Sequence, residues 1–309
     1  IFMNYNNIIR NGIAKLSAEG GLDLGFNIGS GANAPINSTM VLSDGKIVIC
    51  GGFNFYNGIL HNGILRINMD GGVDTTFVPD LGATYPTEIK AILPDGKILL
   101  TGKFQLDNGT WQRLLLRMNM DGGVDSSFNA DVPGNAVIYG TAVQPDGMIL
   151  LSGFLDGNGS GNTYFIKRLN VDGSADTSFD PGTGPNDVTA SIVLQDDGWI
   201  LIAGLFTTYN GVDRHRIARL HPDGSLDTGF DPGTGTDGNV WALALLPDGK
   251  MLIGGAFTSF NGVARANIAR LNEDGSLDTS FDPGSGTNNS IGSLTSLPSG
   301  KFMIIGAFD

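Results

Sequence analysis

The sequence predicts an all-β fold, a β-propeller built from four-stranded blades. Two observations carry this. The stretch from Val240 to Pro283 holds two hairpins in tandem, each turning on Asp-Gly between two apolar runs. Asp-Gly in that setting is a strong hairpin signal, because Gly takes positive φ without penalty and Asp tolerates it. The same pattern then recurs along the chain at a fixed step of 51 residues. A period of that length, holding four short strands and glycine-rich turns, has the size of a propeller blade.

In the best copy of the repeat, strand A is VWALALL (240–246) and turns at Pro247-Asp248-Gly249 into strand B, KMLIGGAF (250–257). A longer loop, TSFNGVAR, leads to strand C, ANIARLN (266–272), which turns at Asp274-Gly275 into strand D, SLDTSF (276–281). The A–B turn residues are Asp44, Asp95, Asp146, Asp197, Asp248 and, in the sixth place, Ser299. The strand-D aromatic positions are Phe26, Phe77, Phe128, Phe179, Phe230 and Phe281, and they are expected in the core. No insertion breaks the register.

Complete repeats begin near Ile36, Glu88, Ile138, Thr189 and Val240. The first 26 residues supply only strands C and D, and residues 290–309 supply only A and B. The two fragments are complementary. A sheet edge left open exposes unpaired backbone donors and acceptors, and ring closure removes it. The expectation is therefore a single domain, 1–309, of six blades, the sixth shared between 1–35 and 290–309, with 301–308 pairing with 12–16. Seven or eight blades with part of the chain absent is the alternative. The B–C segment of the third complete repeat, LDGNGSGNTYF, lacks the aromatic-Asn-Gly pattern of the others and reads as flexible. Helical periodicity is absent throughout.

Composition narrows the function classes. The formal net charge is −13, and no cluster of Lys and Arg suited to phosphate is visible, which argues against nucleic acid and anionic membranes. A basic partner or cations fit the acidity better. The single cysteine, Cys50, lies inside an apolar strand and reads as a small core residue, so no disulfide framework is possible within one chain. No run of 18 apolar residues exists to span a membrane. The chain starts in mid-motif without Met, as a fragment or a processed product would.

The repeated text resembles the delta-60 repeat family of bacterial surface and secreted proteins. The residues that carry the resemblance are Pro247-Asp248-Gly249-Lys250, Gly254-Gly255, Asn261-Gly262, Ile268-Ala269-Arg270-Leu271 and the run 274–283, DGSLDTSFDP. It covers the whole chain and weakens in the first three copies, where Asp-Pro-Gly-Thr-Gly is replaced. The resemblance implies a β-propeller, export, and a place in a secreted, cell-surface or secretion-linked outer-membrane protein. It supplies no catalytic residues.

Candidate chemistry is sparse. Asp23, Asp74, Asp125, Asp176, Asp227 and Asp278 recur on strand D, and Lys15, Arg66, Arg117, Arg168, Arg219 and Arg270 on strand C. Six copies of each read as a structural pairing, not as catalysis. The run 272–278, NEDGSLD, has the oxygen-rich composition of a calcium loop but neither its order nor its closing Glu. A tight turn explains it, and no cofactor is expected, calcium being the one ion the composition leaves open. His61, His215 and His221 lack the spacing of a zinc site. No G-x-S-x-G elbow occurs, and the Gly-Thr-Gly segments precede strands, where no helix can back a phosphate cradle.

One surface remains. In a propeller the B–C and D–A loops share a face, and here they are long. They carry Tyr5, Tyr56, Tyr209 and Phe260, each followed by Asn, and a period-locked position that reads Arg10, His61, Gln112, Thr163, Arg214 and Arg265. A fixed frame with varied side chains suits a binding face. The binding candidates are therefore Tyr5, Arg10, Tyr56, His61, Tyr209, Arg214, Phe260 and Arg265. The expected function is a non-enzymatic, extracytoplasmic module that binds protein or glycan, as part of an adhesin or docked on an outer-membrane channel, with no membrane insertion. The alternatives are a glycan hydrolase or lyase using loop carboxylates (Asp80, Asp107, Asp131, Asp187, Asp213, Asp237) and a structural spacer.

Overall fold

The computed structural model describes residues 3–81, 84–105, 111–157, 159, 161–297 and 301–308. All of the regular structure among them is β. The chain forms two compact units, 1–135 with 171–174, and 136–170 with 175–309.

In the first unit, Ile36–Val41, Ile47–Gly51 and Ile64–Ile67 form one antiparallel sheet, and Thr84–Ile92, Ile98–Gln105 and Trp111–Met118 a second. In the second unit the corresponding sheets are Ala136–Val143, Ile149–Leu155 and Thr163–Leu169; Thr189–Leu194, Ile200–Gly204 and Ile217–Leu220; and Asn239–Leu245, Met251–Ala256 and Ile268–Leu271. These are strands A, B and C in the order expected. The turn aspartates behave as their chemistry dictates: Asp44 Oδ1 accepts from the Lys46 amide at 3.0 Å, and Asp146 Oδ1 from the Met148 amide at 3.0 Å.

Strand D is shorter than expected. It contributes a single bridge to strand C, as in Ile67 to Val73 and Leu220 to Leu226. The reason is local. The next residue is the recurrent Asp, whose Oδ1 accepts the amide two residues on, as Asp74 does from Thr76 at 3.0 Å, and this turns the chain out of the ladder. Among the described residues, each of the five complete repeats is thus three strands and a bridge, not four strands.

Strand A carries a bulge opposite the Gly-Gly pair of strand B, for example between Val240 and Ala242. There the backbones approach so closely that a Cβ on Gly255 would lie 2.0 Å from the Asn239 carbonyl oxygen.

The cores lie between consecutive repeats. One cluster joins Val48, Cys50, Ile64 and Phe77 to Ile98, Leu100 and Met118 of the following repeat. Another joins Leu201, Ile217 and Phe230 to Met251, Ile253 and Leu271. One repeat cannot bury its faces alone, so each uses the next. Burial pushes the Cys50 thiol up to about 12, as its small-core role requires.

Of the strand-D aromatics, Phe26, Phe77, Phe128, Phe179 and Phe230 are buried. Phe230 lies against the C–D turn of the next repeat, its ring 3.0 Å from where a Cβ on Gly275 would stand. Phe281 is only half-buried, in T-shaped contact with Phe302. Among the described residues, the expected pairing of 301–308 with 12–16 is not among the sheets formed: Phe302–Gly306 pairs with Ile291–Ser296 in a two-stranded sheet, and Leu16 makes an isolated bridge to Leu22.

Candidate functional site

The aromatic-Asn-Gly loops are small hairpins. Phe55–Tyr56 pairs with Ile59–Leu60, Thr208–Tyr209 with Val212–Asp213, and Ser259–Phe260 with Val263–Ala264. Asn-Gly makes the turn, with φ of 48° at Asn261 and 75° at Gly262.

The Asn of each hairpin also locks the preceding D–A loop. Asn261 Oδ1 accepts from the Gly235 amide at 2.9 Å and the Thr234 hydroxyl at 3.0 Å, while its own amide donates to the Gly235 carbonyl at 2.8 Å. Asn210 does the same to Gly184 and Thr183, and Asn57 to Gly31 and Ser30. A second knot lies just before strand A. Asn33 and Asn186 each accept two amides of the B–C segment, and Asp237 accepts those of Thr258 and Ser259 at 2.8 and 3.0 Å. Burial opposes ionisation of Asp237, but the Thr258 hydroxyl and these amides outweigh it and bring its pKa down to about 2. These knots are period-locked at 33, 186 and 237, a signal legible in the sequence that the motif reading did not use.

The candidate residues separate into two groups. Tyr56, Tyr209 and Phe260 are fully buried and belong to the core, not to the surface. The hydroxyl of Tyr209 donates to the Gly224 carbonyl at 3.0 Å, and that of Tyr5, which is half-buried, to the Gly20 carbonyl at 2.7 Å. The second group closes each hairpin. Arg10, Arg214 and Arg265 each fold Nη1 onto the carbonyl of the preceding residue, at 2.9, 2.8 and 2.7 Å. Arg214 is 7% exposed, and its Nη2 reaches the Asp227 carbonyl at 3.5 Å. His61 stands at the same position; its Nε2 is buried without a hydrogen-bond partner, and burial holds its pKa below the ordinary value. Thr163 is exposed, and the side chain of Gln112 lies outside the described residues.

Beside His61 is a cleft of about 770 Å³, within the first unit. Its walls include Leu60, Val73, Val78, Pro79 and Leu81, and its polar lining includes Asn62, Thr75 and Asp80.

The loop carboxylates have separate placements. Asp80 is an exposed carboxylate at the cleft, Asp187 Oδ1 accepts its neighbour's amide at 2.7 Å, and Asp213 is exposed on its hairpin. Asp131 donates its amide to the Gly173 carbonyl at 2.8 Å, and Asp107 lies outside the described residues. The Asp274 carboxylate accepts the amide and hydroxyl of Ser276, as a turn residue does.

The strand-C arginines and strand-D aspartates pair within their own repeat, Arg117 Nε to Asp125 Oδ2 at 2.7 Å. The same guanidinium reaches the next repeat, as Arg66 Nη1 does to the Met120 carbonyl at 2.6 Å. This pairing is structural, as the recurrence implied.

The comparisons bear on fold and family. Among solved structures the chain is similar to a virginiamycin B lyase from Staphylococcus aureus (15% identity, 87% of this chain and 83% of that one, TM-score 0.44). It is similar to a periplasmic gluconolactonase from Pseudomonas aeruginosa (13%, 94% and 83%, TM-score 0.42). It is also similar to the extracellular domain of a hybrid two component system from B. thetaiotaomicron (13%, 90% and 38%, TM-score 0.49). These proteins include enzymes, which corrects the expectation of a non-enzyme: the fold is one on which enzymes are found. The proteins with stated locations are periplasmic or extracellular, and no helix of this chain is long and apolar enough to cross a membrane among the described residues. Comparison with curated proteins gives no match.

The family model described as "Domain of unknown function (DUF5122) beta-propeller" matches residues 42–77, 93–128, 144–179, 195–230 and 246–281, in step with the 51-residue period. Those matches run from the A–B turn to the strand-D phenylalanine of five successive repeats and cover more than half of the chain, which therefore belongs to this β-propeller family.

Proposed function

We propose that this chain is an extracytoplasmic binding module that holds a protein or glycan through the face made by its B–C hairpins and D–A loops. The observation that carries the reading is one period-locked position, where the latched hairpins carry His61, Arg214 and Arg265 in turn. The Asn latches make the frame rigid, so variation there changes chemistry without changing backbone. Aliphatic side chains stand exposed on the same hairpins, among them Ile9, Leu60, Val212 and Val263. Exposed apolar groups on a rigid frame are what an interface uses.

The net charge of −13 favours a neutral or basic ligand. The likeness of the repeat text to delta-60 repeats supports a place in a surface adhesin or a secretion-associated outer-membrane assembly. The complementary partial repeats support one propeller of six blades.

The test is a screen of the immobilised chain against a glycan array and a peptide-display library, repeated with Leu60→Ser, Val212→Ser and Val263→Ser combined. The three side chains are exposed, so the fold should tolerate the change. The expected result is a saturable ligand whose affinity falls about tenfold or more in the variant. Ligands that bind both proteins equally would place recognition elsewhere and refute the reading.

A further inference from the structure

We propose that the cleft beside His61 receives an aliphatic side chain from a basic peptide segment of a protein partner. This rests on the binding-face reading above and narrows it to one pocket and one ligand class.

The argument begins with a substitution inside the repeat. At the position that closes the hairpin, Arg214 runs its guanidinium into the repeat, to the carbonyls of Asp213 and Asp227. His61 holds that position in the first complete repeat, where the residue equivalent to Asp227 is Asp74. Imidazole is shorter than the arginine side chain, and Asp74 is part of the lining of the cleft that includes His61. The buried Nε2 of His61 has no partner of its own. The Nε atoms of Arg10, Arg214 and Arg265 are buried in the same way, and the His61 ring is part of the wall of the cleft, where a bound group would lie against it.

The walls select an aliphatic group. Leu60, Val73, Val78, Pro79 and Leu81 line the space, and Val78 is 68% exposed. A volume of about 770 Å³ falls in the range of ligand pockets and has room for one side chain with the backbone on either side. A sugar would seek an aromatic face, and none is free among the described lining residues. Phe77 is buried with the Arg66 guanidinium 5.0 Å from its ring centre, and Tyr56 is fully buried.

Charge selects the flanks. Among the described residues no Lys or Arg lines the cleft, and the Asp80 carboxylate is exposed. Asp74 is already held by Arg66 and Lys46 at 2.7 and 2.9 Å, which leaves Asp80 as the carboxylate for an incoming cation. Desolvation favours a neutral imidazole at His61, which offers one donor and one acceptor and does not repel that cation.

The experiment pans a random decapeptide display library against the whole chain and measures the enriched peptides by fluorescence anisotropy and by ¹⁵N shifts of the histidine imidazoles. The chain has three histidines, so His61 is assigned by its loss in His61→Gln. Enriched peptides should pair Leu, Ile or Met with Lys or Arg and should shift the His61 resonances to saturation. His61→Arg, which installs the residue the repeat itself uses at 10, 214 and 265, should weaken binding about tenfold or more with an unchanged unfolding midpoint. Asp80→Asn should weaken it and flatten its salt dependence. Enrichment of acidic or uncharged sequences, binding by His61→Arg within about twofold of the parent, or shifts of His61 by xylohexaose in place of peptide would each overturn the proposal. If peptides lose binding with Val212→Ser and Val263→Ser but not with His61→Arg, the face reading stands and the cleft assignment fails.

Discussion

Asp125 shows how one carboxylate organises a repeat. It accepts from Arg117 and Lys97 at 2.7 and 2.8 Å and from the Ser127 hydroxyl at 2.6 Å, while the Arg117 guanidinium lies 4.7 Å from the centre of the Phe128 ring. The Lys97 ammonium and the Ser127 hydroxyl, against the opposing effect of burial, hold its pKa well below the usual carboxylate range. Two repeats replace the lysine with Met148 and Trp199, and there Trp199 lies under Arg219, 4.6 Å from ring centre to guanidinium. Asp125→Ala strands two buried or half-buried cations and should cost about 3–5 kcal/mol in urea unfolding. Asp237 allows a sharper pH test. Its folded pKa, about 2, lies below its unfolded value near 3.9, so its contribution is present above about pH 4 and is lost as pH falls toward 2. Asp237→Asn, which copies Asn186, should flatten this part of the acid limb of the unfolding midpoint measured between pH 5 and 2.

Among elements, the B–C connection separates the repeats into two kinds. Where aromatic-Asn-Gly is present, strand B ends early and a separate hairpin forms. Where it is absent, strands B and C run on, as Ile149–Leu155 and Thr163–Leu169 do over seven paired positions. The segment that read as flexible therefore has long ordered flanks. The strand-D phenylalanines also differ by surroundings. Phe230→Ala should cost about 3–5 kcal/mol, from lost transfer energy plus the cavity left behind. Phe281→Ala should cost about 1–2 kcal/mol, because that ring is only half removed from water. Equal losses in thermal or denaturant unfolding would contradict this difference in burial.

For the whole molecule, the edge of the last strand is where closure is tested. Phe302–Gly306 pairs on one side with Ile291–Ser296, and Ile305 is 63% exposed. The six-blade proposal requires a partner on its other side, since a bare edge invites association with other chains. Backbone amides of this strand that face away from Ile291–Ser296 should then resist hydrogen exchange to nearly the extent of those in Met251–Ala256. Exchange at the rate of a frayed edge would exclude closure. Deleting 291–309 should cause aggregation or loss of cooperative unfolding, because Ile291 is fully buried beside Gly254.

The sequence by itself determined the period, the A, B and C strands, the Asp-Gly turns and the structural role of the Arg–Asp pairs. All of these follow from interactions inside one repeat, where alternation and turn chemistry act over a few residues. Tertiary structure decided what lies further off. Tyr56, Tyr209 and Phe260 sit in loop text but are buried, because the D–A loop 24 residues earlier folds over them, as the bridge from Ala32 to Tyr56 shows. Strand D stops after one bridge because the Asp side chain competes with the ladder for the next amide. His61 reads as one more variable loop residue until its neighbours surround it. Only then does replacing a long guanidinium by a short imidazole appear as a residue that lines a cleft, since free volume belongs to packing between segments and has no local pattern in the chain.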